Sequence, residues 1–222
     1  MKVIVLASQK GGVGKTTLAA HLAIAATKGG GKCVLTDTDP QGSLVAWWNK
    51  REAETPAYQE TMIKDLPQTI EALKKAGFDY FFIDTPPATT PAMRTVFNYA
   101  DYVLIPTKPS PHDLGAIGQT IDIVTEAGRK YGFVITQAKS NSRLTLQSVQ
   151  ALIEHGETSP AIIHDRVDFA GSMIGGGSVL ESDPKGRSAE EIQTLWLFVK
   201  ARISDKAKGR NSDLAKQRKG AA

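Results

Sequence analysis

Nine residues near the N-terminus, Gln9, Lys10, Gly11, Gly12, Val13, Gly14, Lys15, Thr16 and Thr17, restrict what this chain can fold into more than any other stretch. They come after an apolar run, residues 3–7, with the character of a buried parallel strand. They lead into an alanine-rich segment ending near residue 26, in which Leu18, Leu22 and Ala25 recur at helical spacing. Strand, glycine loop and helix N-terminus in that order form the setting a phosphate-binding loop needs. Glycine lets successive backbone N–H groups turn inward around an anion with no Cβ in the way. The helix adds its dipole and its unpaired N–H groups. In such a loop Lys15 reaches the β- and γ-phosphates of a nucleotide, and the Thr16 hydroxyl binds Mg2+. Glycine-rich turns also serve tight packing alone; the Gly-Lys-Thr ending in this setting speaks for the phosphate.

A sheet that carries such a loop binds its ligands at the carboxyl ends of its strands. Two further segments end there with carboxylates. Residues 32–37 read as a strand ending at Asp37, with Thr38, Asp39, Pro40, Gln41 and Gly42 after it. Two aspartates before a proline read equally well as a turn signal. Residues 78–84 form a strongly apolar strand ending at Asp84, with Thr85, Pro86 and Pro87 after it. A hard cation beside phosphates wants an anionic oxygen at that place.

The remaining chain alternates strands and helices. Helices are expected over 43–51, 66–76, 92–99, 113–127, 144–154, 165–173 and 189–203, and strands over 58–63, 101–106, 131–136 and 161–163. This alternation predicts an α/β fold, a doubly wound, mostly parallel sheet flanked by helices. Trp47 and Trp48 are adjacent and cannot share one helix face, which allows one core and one partly exposed ring at an interface, but packing of both into the core is the more ordinary expectation. Gly175, Gly176 and Gly177 read as plain turn glycines, or else as a mobile or close-contact segment. The histidines, His21, His112, His155 and His164, show no pairing that suggests a metal site.

With 222 residues, 41% of them hydrophobic and 23% charged, the chain has room for a full α/β core. No run approaches a membrane span, and the N-terminus lacks the pattern of a signal peptide. The single cysteine, Cys33, lies in an apolar run and reads as a small buried hydrophobe, which together with the missing signal peptide predicts a cytoplasmic protein. The net charge of +4 resides in residues 205–222, a basic and flexible tail beyond a nucleotide-binding domain over 1–204.

The loop departs from the common Gly-x4-Gly-Lys-[Ser/Thr] pattern: Gln9 stands at the first glycine, and Lys10 adds a second lysine. Lys-Gly-Gly-x-Gly-Lys-Thr-Thr at 10–17, Asp-Thr-Asp-Pro-Gln at 37–41 and Asp-Thr-Pro-Pro at 84–87 together resemble the deviant Walker A P-loop ATPases of the ParA/MinD family, over roughly residues 1–204. The resemblance implies ATP and Mg2+ as cofactors. It implies that Gly11, Gly12, Val13, Gly14, Lys15, Thr16 and Thr17 hold the nucleotide, with Thr16, Asp37 and Asp84 at the metal. Lys10, Lys15 and Asp39 form the catalytic set: Lys10 crosses a dimer interface to the partner's nucleotide, and Asp39 orients or activates the attacking water. Residues 85–87 resemble the second switch, which senses the γ-phosphate, and the loop 136–142 is where the family places base contacts. With no helix-turn-helix before the first strand, the chain is similar to the small partition ATPases.

That resemblance implies a homodimer formed on ATP that binds DNA without sequence preference. A ParB-like centromere-binding or cargo adaptor protein then stimulates hydrolysis and release, on a cytoplasmic, nucleoid-associated cycle. Candidate DNA contacts are Lys200, Arg202, Lys206, Lys208 and Arg210, or else Arg143, Arg166, Lys185 and Arg187. A membrane-cycling protein of the MinD kind needs an amphipathic C-terminal helix, and residues 205–222 offer one large apolar residue, Leu214, so no stable membrane binding is expected. A metabolic phosphoryl-transfer enzyme would need a substrate pocket that the sequence does not point to. A nitrogenase-iron-protein role needs more cysteines than Cys33.

Overall fold

The computed structural model describes residues 1–87 and 91–204. The basic stretch 205–222, with Lys206, Lys208 and Arg210, lies outside the described residues. The strands are β1 (Lys2–Leu6), β2 (Cys33–Asp37), β3 (Ala57–Tyr58), β4 (Tyr80–Asp84), β5 (Tyr102–Thr107), β6 (Tyr131–Ala138) and β7 (Thr158–His164). All pair parallel, in the order β3-β2-β4-β1-β5-β6-β7. Side chains alternate across the central strands, so each strand supplies two cores. Ile4, Leu6 and Phe82 point to one, and Val3, Val5, Phe81 and Ile83 to the other. The first core is covered by α1 (Lys15–Lys28), α2 (Ser43–Trp48), α8 (Val167–Met173), α9 (Val179–Ser182) and α10 (Arg187–Ser204). The second lies under α3 (Leu66–Lys75), α4 (Pro91–Phe97), α6 (Ile117–Glu126) and α7 (Arg143–Ile153).

The helix behind the phosphate loop, α1, is buried almost all round. That is why its sequence is small and apolar rather than striped: small side chains let α10 and the sheet approach from both sides. Trp196 of α10 closes the layer, packing edge-on against Tyr80 with ring centres 5.1 Å apart. The expected strand over 58–63 is shorter, ending at Tyr58, and residues Ile63–Asp65 form a 3-10 turn instead. The helix expected over 113–127 is two helices, α5 (Pro111–Gly115) and α6. Ser110 caps α5 by accepting from the Asp113 N–H at 3.1 Å, Pro111 starts it, and Gly115 and Gly118 weaken the junction. β7 is longer than the expected 161–163, and it tolerates Pro160 because it is the sheet's edge strand.

Trp47 is buried, whereas Trp48 is half-buried and lies 5.5 Å from the Tyr58 ring. The triple glycine is a close contact, not a plain turn. Gly176 has φ +74°, and a Cβ there would lie 2.5 Å from the Arg51 backbone nitrogen. Cys33 is buried and its thiol is pushed up to about 11 by desolvation.

Candidate nucleotide site

The sheet register assembles the site. Leu6, the last residue of β1, pairs with Asp84, and Asp84 pairs with Asp37 on the other side. The phosphate loop leaving β1 and the two carboxylates therefore stand at one level on three adjacent strands. Gly12 and Gly14 take φ values of +67° and +89°, which the loop requires and side-chained residues resist. Gly14 caps α1 in the left-handed conformation. A Cβ on Gly11 would touch Pro87 at 4.0 Å, so the residues resembling the second switch lie against the loop. Val13 is buried, and its carbonyl accepts from Thr136 Oγ1 at 2.9 Å.

Lys15 is buried, and its Nζ donates to the Lys10 carbonyl at 3.3 Å. Burial lowers its pKa, against the pull of the Asp84 and Asp39 charges. Thr16 Oγ1 donates to Asp84 Oδ2 at 2.5 Å, and the Thr85 N–H donates to Asp84 Oδ1 at 3.0 Å. Asp84 is 1% exposed, and desolvation pushes its carboxyl up to about 7, opposed by the Thr16 hydrogen bond and by Lys15. Thr38 is fixed to the same strand end, its N–H and hydroxyl both donating to the Asp84 carbonyl.

Asp37 and Asp39 do different work at the carboxyl end of β2. Asp37 Oδ1 accepts from the Asp39 N–H at 2.9 Å, and Oδ2 accepts from the N–H groups of Leu44 and Val45 at 2.8 and 3.3 Å. It thus holds the N-terminus of α2. Burial raises its pKa, against those three backbone donors. Asp39 is half-buried, accepts from the Gln41 N–H at 3.0 Å, and stands close enough to Lys15 for its charge to be felt there. Lys10 is exposed, with its backbone N–H on Ser8 Oγ.

Among the described residues no group of three or more His, Cys, Asp or Glu side chains is placed to hold a metal. The paired Thr16 hydroxyl and Asp84 carboxylate nevertheless fit Mg2+, which takes few protein oxygens and completes its shell with phosphate and water. A carboxyl that burial holds at about 7 is one whose charge a cation would stabilise.

Beside the loop opens a cleft of about 200 Å³ lined by Thr17, Leu18, Gln137, Asp165, Arg166 and Phe169, among others. Thr136 and Gln137 fall within 136–142, expected as the loop that meets the base, but both belong to β6, which runs on to Ala138. Gln137 adopts φ +51° and donates from Nε2 to the Gly12 carbonyl at 2.6 Å. The opposite wall, residues 163–170, was not foreseen from the sequence. Its signal was there to read: Asp165 and Arg166 open the helix expected over 165–173, just past the last strand, at the ligand-binding edge. Glu191 of α10 organises that wall, accepting from Arg166 Nη2 and pairing with His164 Nδ1, both at 2.8 Å.

These features define a P-loop nucleotide-binding protein built on a parallel α/β sheet. The chain belongs to the ParA/MinD family of ATPases: a family model described as CobQ/CobB/MinD/ParA nucleotide binding domain matches residues 4–178. The maintenance of carboxysome distribution protein A of Halothiobacillus neapolitanus is 31% identical over 205 residues, covering 86% of this chain and 93% of that one. The chromosome-partitioning ATPase Soj of Thermus thermophilus is 27% identical over 241 residues, covering 91% and 96%. In fold the chain is similar to an ATP complex of McdA from Cyanothece, with a TM-score of 0.71 at 22% identity over 95% of this chain and 99% of that one.

Proposed function

We propose that this chain is an ATP-dependent positioning ATPase: it dimerises on ATP, binds DNA without sequence preference, and is released when a partner protein stimulates hydrolysis. The observation that carries the reading is the separation of two lysines in one loop. Lys15 is buried beside Asp84 and Asp39, whereas Lys10 is exposed and accessible to a second subunit. Gly11, Gly12, Val13, Gly14, Lys15, Thr16 and Thr17 hold the triphosphate. Thr16 and Asp84 would hold Mg2+, which when bound offsets charge on the phosphates. Asp37 serves that region from behind, by holding the loop that carries Asp39. Asp39 orients the attacking water.

The curated relatives support a positioning role, since one is named for carboxysome distribution and another for chromosome partitioning. For DNA, the cations differ in how free they are. Arg202 is paired with Glu157 at 2.8 Å and covers the Phe198 ring, and Arg166 is paired with Glu191. Lys200, Arg143, Lys185 and Arg187 are less engaged and are the better candidates among the described residues. Such a cycle takes place on the nucleoid, with a ParB-like or cargo adaptor supplying the stimulus. Sedimentation with plasmid DNA in ATP and in ADP tests it. Binding in ATP that weakens with a log–log salt slope of about −0.9 per phosphate contacted is expected; equal binding with both nucleotides, or none, removes the DNA-bound cycle.

A further inference from the structure

Trp47 and the triple glycine lie outside the nucleotide site proposed above, yet they meet each other. The helix after residues 38–42, α2, has six residues, too few to hold a helix unaided. What its two ends touch therefore decides where it lies. Its N-terminus sits on the Asp37 carboxylate. Past its other end stands Arg51, whose side chain is only 6% exposed. Arg51 Nε donates to the Thr55 carbonyl at 2.8 Å. Its Nη1 donates to the Gly176 carbonyl at 2.8 Å and to Glu181 Oε2 at 3.1 Å, and its Nη2 donates to Glu181 Oε1 at 2.5 Å. Trp47 Nε1 donates to the Gly177 carbonyl at 3.0 Å, beneath the same guanidinium. Gly176 is required because any Cβ would strike the Arg51 backbone.

The far side of this clamp returns to the phosphate loop. Ser178 Oγ donates to Glu181 Oε2 at 2.9 Å. The Val179 N–H donates to His21 Nε2 at 3.3 Å, so the imidazole proton sits on Nδ1, which donates to the Thr17 carbonyl at 2.8 Å. His21 is fully buried, with its ring edge-on to Phe169 of the cleft wall. A circuit of hydrogen bonds thus runs from Asp37 through α2, Arg51, Glu181 and Val179 to His21 and the first turn of α1.

We propose that Arg51 and Glu181 are positioning residues for hydrolysis: their ion pair, closed onto the phosphate-loop helix through Val179 and His21, fixes where Asp39 stands relative to Lys15. The inference rests on the reading of Asp39 as the group that orients water. Residues 38–42 are all that join β2 to α2, so a displacement of α2 passes into Asp39 with little slack. A misplacement of about 1 Å at a reacting geometry costs up to about 10²-fold in rate. The loop glycines and Lys15 are anchored by β1 and α1, so nucleotide affinity does not depend on the clamp.

Arg51→Lys keeps the charge and loses the planar fork; Glu181→Gln keeps the shape and loses the charge. Single-turnover phosphate release and the affinity for a fluorescent ATP analogue are to be measured for both, with Asp39 present and with Asp39→Ala. Each variant is expected to slow release by about tenfold and to change affinity by less than about twofold. Neither should slow release further once Asp39 is alanine, because positioned and positioner act through one group. Normal release in both variants, an equal drop with and without Asp39, or an affinity loss as large as the rate loss overturns the proposal. If Asp39→Ala itself turns over as wild type, the water-orienting reading falls and this inference with it. A slow Asp39→Ala beside normal clamp variants sinks the inference alone. Should Arg51→Lys fail to fold, Glu181→Gln decides, since that carboxylate is about a third exposed at 32%.

Discussion

Asp84 holds opposing demands in one carboxyl. Buried to 1% exposure and pushed up to about 7, it carries its charge at a cost at any pH above that value. A raised carboxyl pKa stabilises the fold where the group is protonated, and the contribution is lost as pH rises. Asp84→Asn can keep both hydrogen bonds, accepting from the Thr85 N–H and donating to Thr16. The variant is therefore expected to be more stable than wild type at pH 8 without nucleotide, by a few kcal/mol at most, and to gain less than wild type from adding MgATP. A lower melting point for the nucleotide-free variant would show that the buried charge is no burden. Lys15→Ala should abolish ATP binding, since the triphosphate loses the one buried cation of the loop; an unchanged affinity in a nucleotide titration would remove Lys15 from the site. Both residues were legible in the sequence because spacing and strand position define them. Asp37 was legible in its own pattern as a carboxylate at a strand end, and by resemblance as a residue at the metal. That its oxygens face the N-terminus of α2 depends on how the helix returns over the sheet, which no local pattern encodes.

At the scale of elements, α1 lies against β1, β2, β4, α2, α9 and α10, and His21 is its one buried titratable ring. Desolvation pushes His21 down to about 4, against the Thr17 carbonyl and the Glu181 charge, from an ordinary value of 6.5. The unfolded chain takes up a proton below about 6.5 and the folded chain not until about 4, so folding is weakened as pH falls through that window and is unaffected above it. The full effect is roughly 3 kcal/mol. Melting temperatures of wild type and His21→Gln measured from pH 7 to 4 should converge as the pH drops, because the variant lacks this uptake; parallel curves would mean that His21 does not titrate in this range. Nothing in the sequence around His21 announced such a role, since one histidine among alanines has the same pattern whether it is buried, bonded or idle. The triple glycine is a similar case. Glycines mark where the chain can turn, but the need at Gly176 comes from Arg51, 125 residues away. The split between α5 and α6 was nearer to hand, written in Ser110, Pro111, Gly115 and Gly118, and was hidden by the apolar spacing that continues across it.

For the whole molecule, alternation of strand and helix decided the class of fold, and the strand order placed β1 at the centre with both carboxylate strands on one side. One loop then presents two lysines to different surroundings: Lys15 inward among Asp84 and Asp39, Lys10 outward to solvent. A cation outside its own subunit's site matters for chemistry when another subunit receives it, as an arginine supplied in trans does in related phosphoryl transfer. Lys10→Ala is therefore expected to lose ATP-dependent dimerisation and hydrolysis together. In the proposed cycle Asp39 has the complementary task. Orienting water is needed in the transition state and not in the bound ground state. Asp39→Ala should keep ATP, dimerise, and hydrolyse about 10²-fold more slowly on general-base magnitudes. It should also remain on DNA longer than wild type, since in the proposed cycle release comes after hydrolysis. Size-exclusion chromatography with ATP and Mg2+, run beside phosphate release on both variants, separates the two. A Lys10→Ala protein that dimerises normally would confine that lysine to its own subunit's surface, and an Asp39→Ala protein that turns over normally would pass the water to another group.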